Sequence, residues 1–132
     1  MADIIRAGRP TINRDPDYFT GTVWMDPVHS AEPPARIAAL RVTFTPGART
    51  AWHTHPYGQT LYVLSGVGRF ASRGGPVREI RAGDVVWIPA GEEHWHGAAP
   101  ETMMCHLAMQ EKDEEGRSAV WLEKVSDADY AG

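Results

Sequence analysis

Apolar and polar positions fall into short alternating segments, and no stretch longer than a few residues combines helix formers with the 3.6-residue apolar spacing of a helix. This pattern predicts strands over Ile37 to Phe44, Thr60 to Leu64, Val67 to Ser72, Val77 to Ile80, Val85 to Ile88 and Thr102 to Gln110. Each is bounded by turn formers, "TPGA", "SG", "SRGG", "RAGD" and "PAGEE", and the 10 prolines and 13 glycines divide the chain into pieces of this size. The class is therefore all-β, and six strands at this spacing suit a sandwich or a small barrel. Before Pro34 the texture changes: "RDPDYFTGTVWMDP" carries aromatics without clear alternation, so residues 1–36 read as an N-terminal arm that packs on the barrel or on a neighbouring subunit, and 37–132 as the barrel domain. Towards the end "EKDEEGR" reads as a charged loop, followed by a last strand and a frayed tail in "SAVWLEKVSDADYAG".

A length of 132 residues suits a single domain with a core of its own. The net charge of −4, without a basic block, argues against nucleic acid and anionic membrane surfaces as partners and leaves small molecules or proteins. The first residues lack the long apolar core of a signal peptide and no apolar run is long enough to span a bilayer, which makes the cytoplasm the expected compartment. Cys105, the single cysteine, lies in the apolar run "MMCHLAM" and reads as a reduced thiol.

Two of the six histidines stand on alternate positions in "AWHTHPYGQTLYVLSG". In a strand, His53 and His55 share one face, so both can approach one ion, while Trp52 and Thr54 face the other way. Pro56 and Gly58 break that strand, and Gln59 opens the next on the face of Leu61 and Val63, an interior one. "GDVVWIPAGEEHWHG" repeats the design with His94 and His96, and two such pairs on antiparallel neighbours would meet in one barrel. His106 shares a face with Ala108 and Gln110 that is expected to look inward, and His29, in "DPVHSAEPP", reads as a solvated loop residue.

The complete spacing narrows this. Gly47, five residues, His53-x-His55, three residues, Gln59, six residues, Gly66, followed by Gly83, five residues, Pro89-x-Gly91, two residues and His94, resembles the two signature motifs of the cupin family, small jelly-roll β-barrels with a metal inside. The resemblance covers residues 47–98 directly and implies that His53, His55, Gln59 and His94 are the metal ligands. Two positions depart from the common pattern: Gln59 stands where Glu is usual, and Ala98 where the second motif often ends in Asn. A neutral amide in place of a carboxylate leaves a divalent ion its whole charge and favours anions and Lewis-acid chemistry. The donor set suits Mn, Fe, Co, Ni or Zn better than Ca, and the resemblance puts Mn(II) first and Fe(II) next, with Zn(II), Ni(II) and Co(II) behind them.

The longer runs "RTAWHTHPYGQTLYVLSGVG" and "GDVVWIPAGEEHWHGAAPETMMCHLAMQE" are similar to the manganese-dependent hydroxynitrile lyases of the cupin type, which cleave a cyanohydrin reversibly into an aldehyde or ketone and cyanide. That resemblance makes His106 and His96 the acid-base candidates and puts Thr50, Leu40, Val42 and Gln110 at the substrate pocket. Leu40, Val42, Phe44, Trp87 and Met104 read as pocket wall or barrel core. The competing expectations are a dioxygenase of the quercetinase-like cupin type, which needs the same ligands, and a non-enzymatic binding module. Cupins of this kind imply a homo-oligomer, a dimer or tetramer.

Overall fold

The computed structural model describes residues 1–13 and 15–132; Arg14, the first residue of the aromatic-bearing segment, lies outside the described residues. The strands are β1 (Ile12–Asn13), β2 (Phe19–Thr20), β3 (Val23–Ser30), β4 (Ile37–Phe44), β5 (Arg49–Thr50), β6 (His53–Thr54), β7 (Gln59–Ser72), β8 (Arg78–Arg81), β9 (Val85–Ile88), β10 (His94–Ala98), β11 (Met104–Glu111) and β12 (Val120–Trp121), and one short helix, α1 (Asp127–Ala131), closes the chain. All pair antiparallel, in the order β1-β3-β4-β11-β7-β10-β5-β2, with β8 and β9 also on β7, β6 on β10, and β12 on β6. The curled sheet has the all-β class expected from the alternation and the jelly-roll form that the cupin resemblance implied.

Three elements differ from the sequence pattern. The segments expected as two strands around Ser65-Gly66 form the single strand β7, whose first half pairs with β11 and β9 and whose second half pairs with β10 and β8. Gly66 bends this strand without ending it. Its φ is +80°, and a Cβ there would stand 1.9 Å from the Met103 carbonyl oxygen, so the corner needs both glycine's left-handed freedom and its lack of a side chain. Gly66→Ala is expected to destabilise the protein by about 3 kcal/mol or more, read as a lower urea midpoint at unchanged slope.

The second difference is β3, which pairs along β4 from Val23↔Phe44 to Ser30↔Ala38 with a bulge between Pro27 and His29. Strand pairing thus crosses the 36/37 boundary, and the irregular texture came from Pro27, tolerated near a bulge. His29 is exposed, as expected, but on this strand and not in a loop. The third is the carboxyl terminus. It is a capped helix and not a frayed tail: the Ser126 side chain accepts from the Asp129 amide, and Tyr130 is buried. The Tyr130 hydroxyl donates to the Ala98 carbonyl at 2.5 Å, and the Arg49 and Arg69 guanidinium groups lie over its ring at 4.6 and 5.0 Å.

Two apolar clusters follow from strand parity. The inner one fills the barrel with Phe44, Leu61, Val63, Ile88, Met104, Val42 and Ala108, and the outer one packs Trp52, Ala71 and Trp95 under Val125 and Tyr130. Trp87, expected in core or pocket, is 61 % exposed, because it shares the outward face of β9 with Val85. Cys105 is a buried free thiol that accepts from the Thr43 hydroxyl.

Candidate metal centre and active site

His53 on β6 stands directly opposite His94 on β10, which brings the two sequence pairs together at one end of the barrel. The ring centroids of His53 lie 4.2 Å from His94, 5.0 Å from His55 and 5.3 Å from His96. Gln59 begins β7 on the same inward face as Leu61 and Val63, and its Oε1 is 3.1 Å from His94 Nε2. His106 projects from β11 between Val42 and Val63, and its Nε2 is 2.9 Å from His96 Nδ1. All six of these side chains are buried.

Three of the histidines are oriented by main-chain carbonyls. Nδ1 of His53 meets the Ala51 carbonyl at 2.8 Å, Nδ1 of His94 the Glu92 carbonyl at 2.9 Å, and Nδ1 of His55 the Ser118 carbonyl at 2.5 Å. A carbonyl can only accept, so each Nδ1 carries the proton and each neutral ring keeps its lone pair on Nε2. Among the described residues His55 Nε2 is buried and makes no hydrogen bond of normal geometry, and His94 Nε2 faces the Gln59 amide oxygen, one acceptor against another. A cation satisfies such a set, and the other ring nitrogen bonded to a carbonyl is the usual support of a metal-bound imidazole. The donors are nitrogen and oxygen without thiolate, so the buried histidine site fits a divalent metal.

Among the described residues, the ligand atoms of His53, His94 and His96, one from each, lie within 4.8 Å of one another. His96 differs from the others in that its Nδ1 partner is the His106 imidazole, whose role in the bond is interchangeable, so no carbonyl holds its tautomer. Its Nε2 and the Nδ1 of His106 have no hydrogen-bond partner among the described residues.

Burial keeps the cluster neutral. It lowers His53 and His96 well below the usual histidine range, with neighbouring imidazoles adding to the effect, and it lowers His55 despite the opposing Ser118 hydrogen bond. His94 and His106 fall to about 4, again chiefly through burial. Because these values lie below the unfolded one, the unfolded chain binds more protons between pH ~6.5 and the folded values. The stability held in the neutral rings is complete above pH ~6.5 and declines as pH falls towards about 4, by on the order of 3 kcal/mol for His106 alone. Thermal melts of metal-free protein should therefore lose about 10 °C or more across that window; a midpoint unchanged from pH ~7 to ~4 would contradict it.

The cluster opens into a cavity of about 270 Å³ lined by Phe19, Met25, Leu40, Val42, Phe44 and Trp121 on its apolar side. Thr50 and Gln110 also line it, while Met104 lies in the core behind. The Thr50 hydroxyl accepts from the His96 amide at 3.2 Å, which leaves its own proton for another partner. The Gln59 side-chain nitrogen donates to Gln110 Oε1. Trp121, Phe19, Met25 and the Ser118 carbonyl were not singled out from sequence. The Trp121 ring lies 4.6 Å from His53 and stacks on Tyr18 at 4.8 Å, so β12 supplies part of the cavity wall. The aromatics of "YFTG" and "AVW" were the only available signal, since nothing local marks which aromatics reach a pocket.

Among the described residues no helix is long and apolar enough to cross a membrane. A mandelonitrile lyase, "(R)-mandelonitrile lyase", of Granulicella tundricola is 54 % identical over 129 residues, 97 % of this chain and 98 % of that one. A cupin-like protein of Thermotoga maritima superposes with a TM-score of 0.84 at 38 % identity, covering 98 % of this chain and 95 % of the other. A polyketide cyclase of Streptomyces resistomycificus shares the fold at a TM-score of 0.72 and 20 % identity, over 98 % and 90 % of the two chains. The model of the cupin domain matches residues 40–109, the span from the first pocket wall on β4 to β11 that carries all six side chains of the cluster, and the chain belongs to the cupin family.

Proposed function

We propose that this chain is a metal-dependent lyase that cleaves a small, preferably aryl, cyanohydrin reversibly into a carbonyl compound and hydrogen cyanide. The observation that carries the reading is the neutral His96–His106 pair, 2.9 Å apart, in the same cavity as the carbonyl-oriented His53 and His55, with His94 directly opposite His53. The high identity to a mandelonitrile lyase supports the substrate class. In this reading His53, His55, Gln59 and His94 hold a divalent ion, Mn(II) first and Fe(II) next. The ion supplies positive charge where the departing cyanide becomes negative.

The chain's own residues do the proton chemistry. A hydrogen bond between two neutral imidazoles leaves one outer nitrogen with a lone pair and the other with a proton. The pair takes the hydroxyl proton at the free nitrogen as the O–H electrons form the carbonyl and the C–C bond breaks with its electrons on cyanide; the same proton then leaves on cyanide. Leu40, Val42, Phe44 and Trp121 hold the organic group away from water, and Thr50 has a hydroxyl proton to offer the substrate oxygen. We place this chemistry in the cytoplasm.

The test is mandelonitrile cleavage by metal-loaded and chelated protein, with and without oxygen, beside elemental analysis. Cleavage that needs the metal and ignores oxygen is expected. Oxygen consumed in step with turnover would assign the cavity to a dioxygenase, and cleavage indifferent to chelation would remove the metal from the reaction. The same reading includes a dimer or tetramer: Tyr62, Leu64, Val85 and Trp87 form an exposed apolar strip on the outer face of β7 and β9 that a second copy would cover. Sedimentation should give a multiple of the chain mass, and a monomer at micromolar concentration would remove that part.

A further inference from the structure

Gln59, Gln110 and Ala38 form a straight row across three neighbouring strands. Gln110 on β11 stands opposite Gln59 on β7 and, on its other side, opposite Ala38 on β4. Both glutamines are buried. Gln110 Nε2 donates to the Ala38 carbonyl at 3.3 Å, and Gln110 Oε1 accepts from Gln59 Nε2 at 3.1 Å. A main-chain carbonyl has no proton to give, so only the NH₂ side of Gln110 satisfies it. The Gln110 oxygen is then turned to Gln59, where again only an NH₂ group satisfies it, and the Gln59 oxygen is left facing His94. Turning either amide over would set oxygen against oxygen, or NH₂ against NH₂, in a buried place.

We propose that Gln110 is a positioning residue: anchored by the Ala38 carbonyl, it fixes which end of the Gln59 amide points into the histidine cluster and makes position 59 selective for a neutral amide over a carboxylate. A glutamate at 59 would present an oxygen to the Gln110 oxygen, so the departure from the usual cupin Glu is matched by a residue 51 positions away. The proposal rests on the reading of Gln59 as a ligand and explains how the site keeps a divalent ion's charge uncancelled.

The test is a double-substitution cycle read as Mn(II) affinity, by calorimetric titration of chelator-stripped protein. Gln110→Met is expected to weaken Mn(II) binding about 10- to 100-fold in the natural background, the usual effect of losing a ligand's support. In the Gln59→Glu background the same replacement should leave affinity unchanged or strengthen it, because the opposing oxygen is gone. An affinity within threefold of the unaltered protein, or equal weakening in both backgrounds, would overturn the proposal.

Nuclear Overhauser contacts in the unaltered protein give a second measurement that does not depend on any variant folding. The Gln59 side-chain NH₂ protons should be exchange-protected and show contacts to the Gln110 side chain; freely exchanging protons without such contacts overturn the assigned orientation. Failure of the unaltered protein to bind Mn(II), Zn(II) or Fe(II) would instead remove the ligand reading itself, and is thereby told apart from failure of the amide row.

Discussion

Replacing His53 by alanine is expected to empty the cluster of its ion and lower cyanohydrin cleavage by about three orders of magnitude or more. Single catalytic-group losses span roughly 10²–10⁴-fold, and here the loss removes the ion as well. His53 is the hub of the cluster: its ring is within 5.3 Å of His55, His94 and His96, and Trp121 covers its other face at 4.6 Å. Its strand β6 is only two residues long, so the barrel does not depend on the imidazole for its pairing. Metal content by elemental analysis, with circular dichroism to follow the fold, checks the result. A folded His53→Ala protein that retains one ion per chain and its cleavage rate would show that the ion, if bound, is held elsewhere.

His106→Phe should behave differently. A planar aromatic ring is kept, in a fully buried position 5.3 Å from Phe44, but the imidazole that hydrogen-bonds His96 is gone. The expected outcome is a fall in kcat of about 10²–10³-fold with metal content unchanged. Loss of the ion along with activity would place His106 among the metal's supports, and full retention of kcat would remove the imidazole pair from the chemistry. The two variants together separate holding the ion from moving the proton, which no single substitution in so tight a cluster can do.

The inward faces of the site strands were legible because strand parity is local. Once β6, β7, β10 and β11 are recognised, His53, Gln59 with Leu61 and Val63, His94 with His96, and His106 with Ala108 and Gln110 each fall on one side, and the structure has every one of them buried. The same logic did not extend to Trp87, whose apolar character suggested the interior although the strand turns it outward with Val85. Nor did it reveal β7 as one strand, since a Ser-Gly pair reads as a turn unless the carbonyl of Met103 is known to press on the glycine.

By itself the sequence determined the all-β class, the strand-turn punctuation and the set of histidines and amides that share an interior, all consequences of a two-residue period that each segment carries alone. Tertiary structure alone decided what orients them. The Ser118 carbonyl that holds His55 is 63 residues away, Gln110 is 51 residues from Gln59, and Trp121 covers His53 only because β12 returns to pair with β6. Partners so far apart are selected by the closing of the whole barrel, in which every buried polar group must find a complement wherever the chain happens to bring one, and no local pattern encodes that choice.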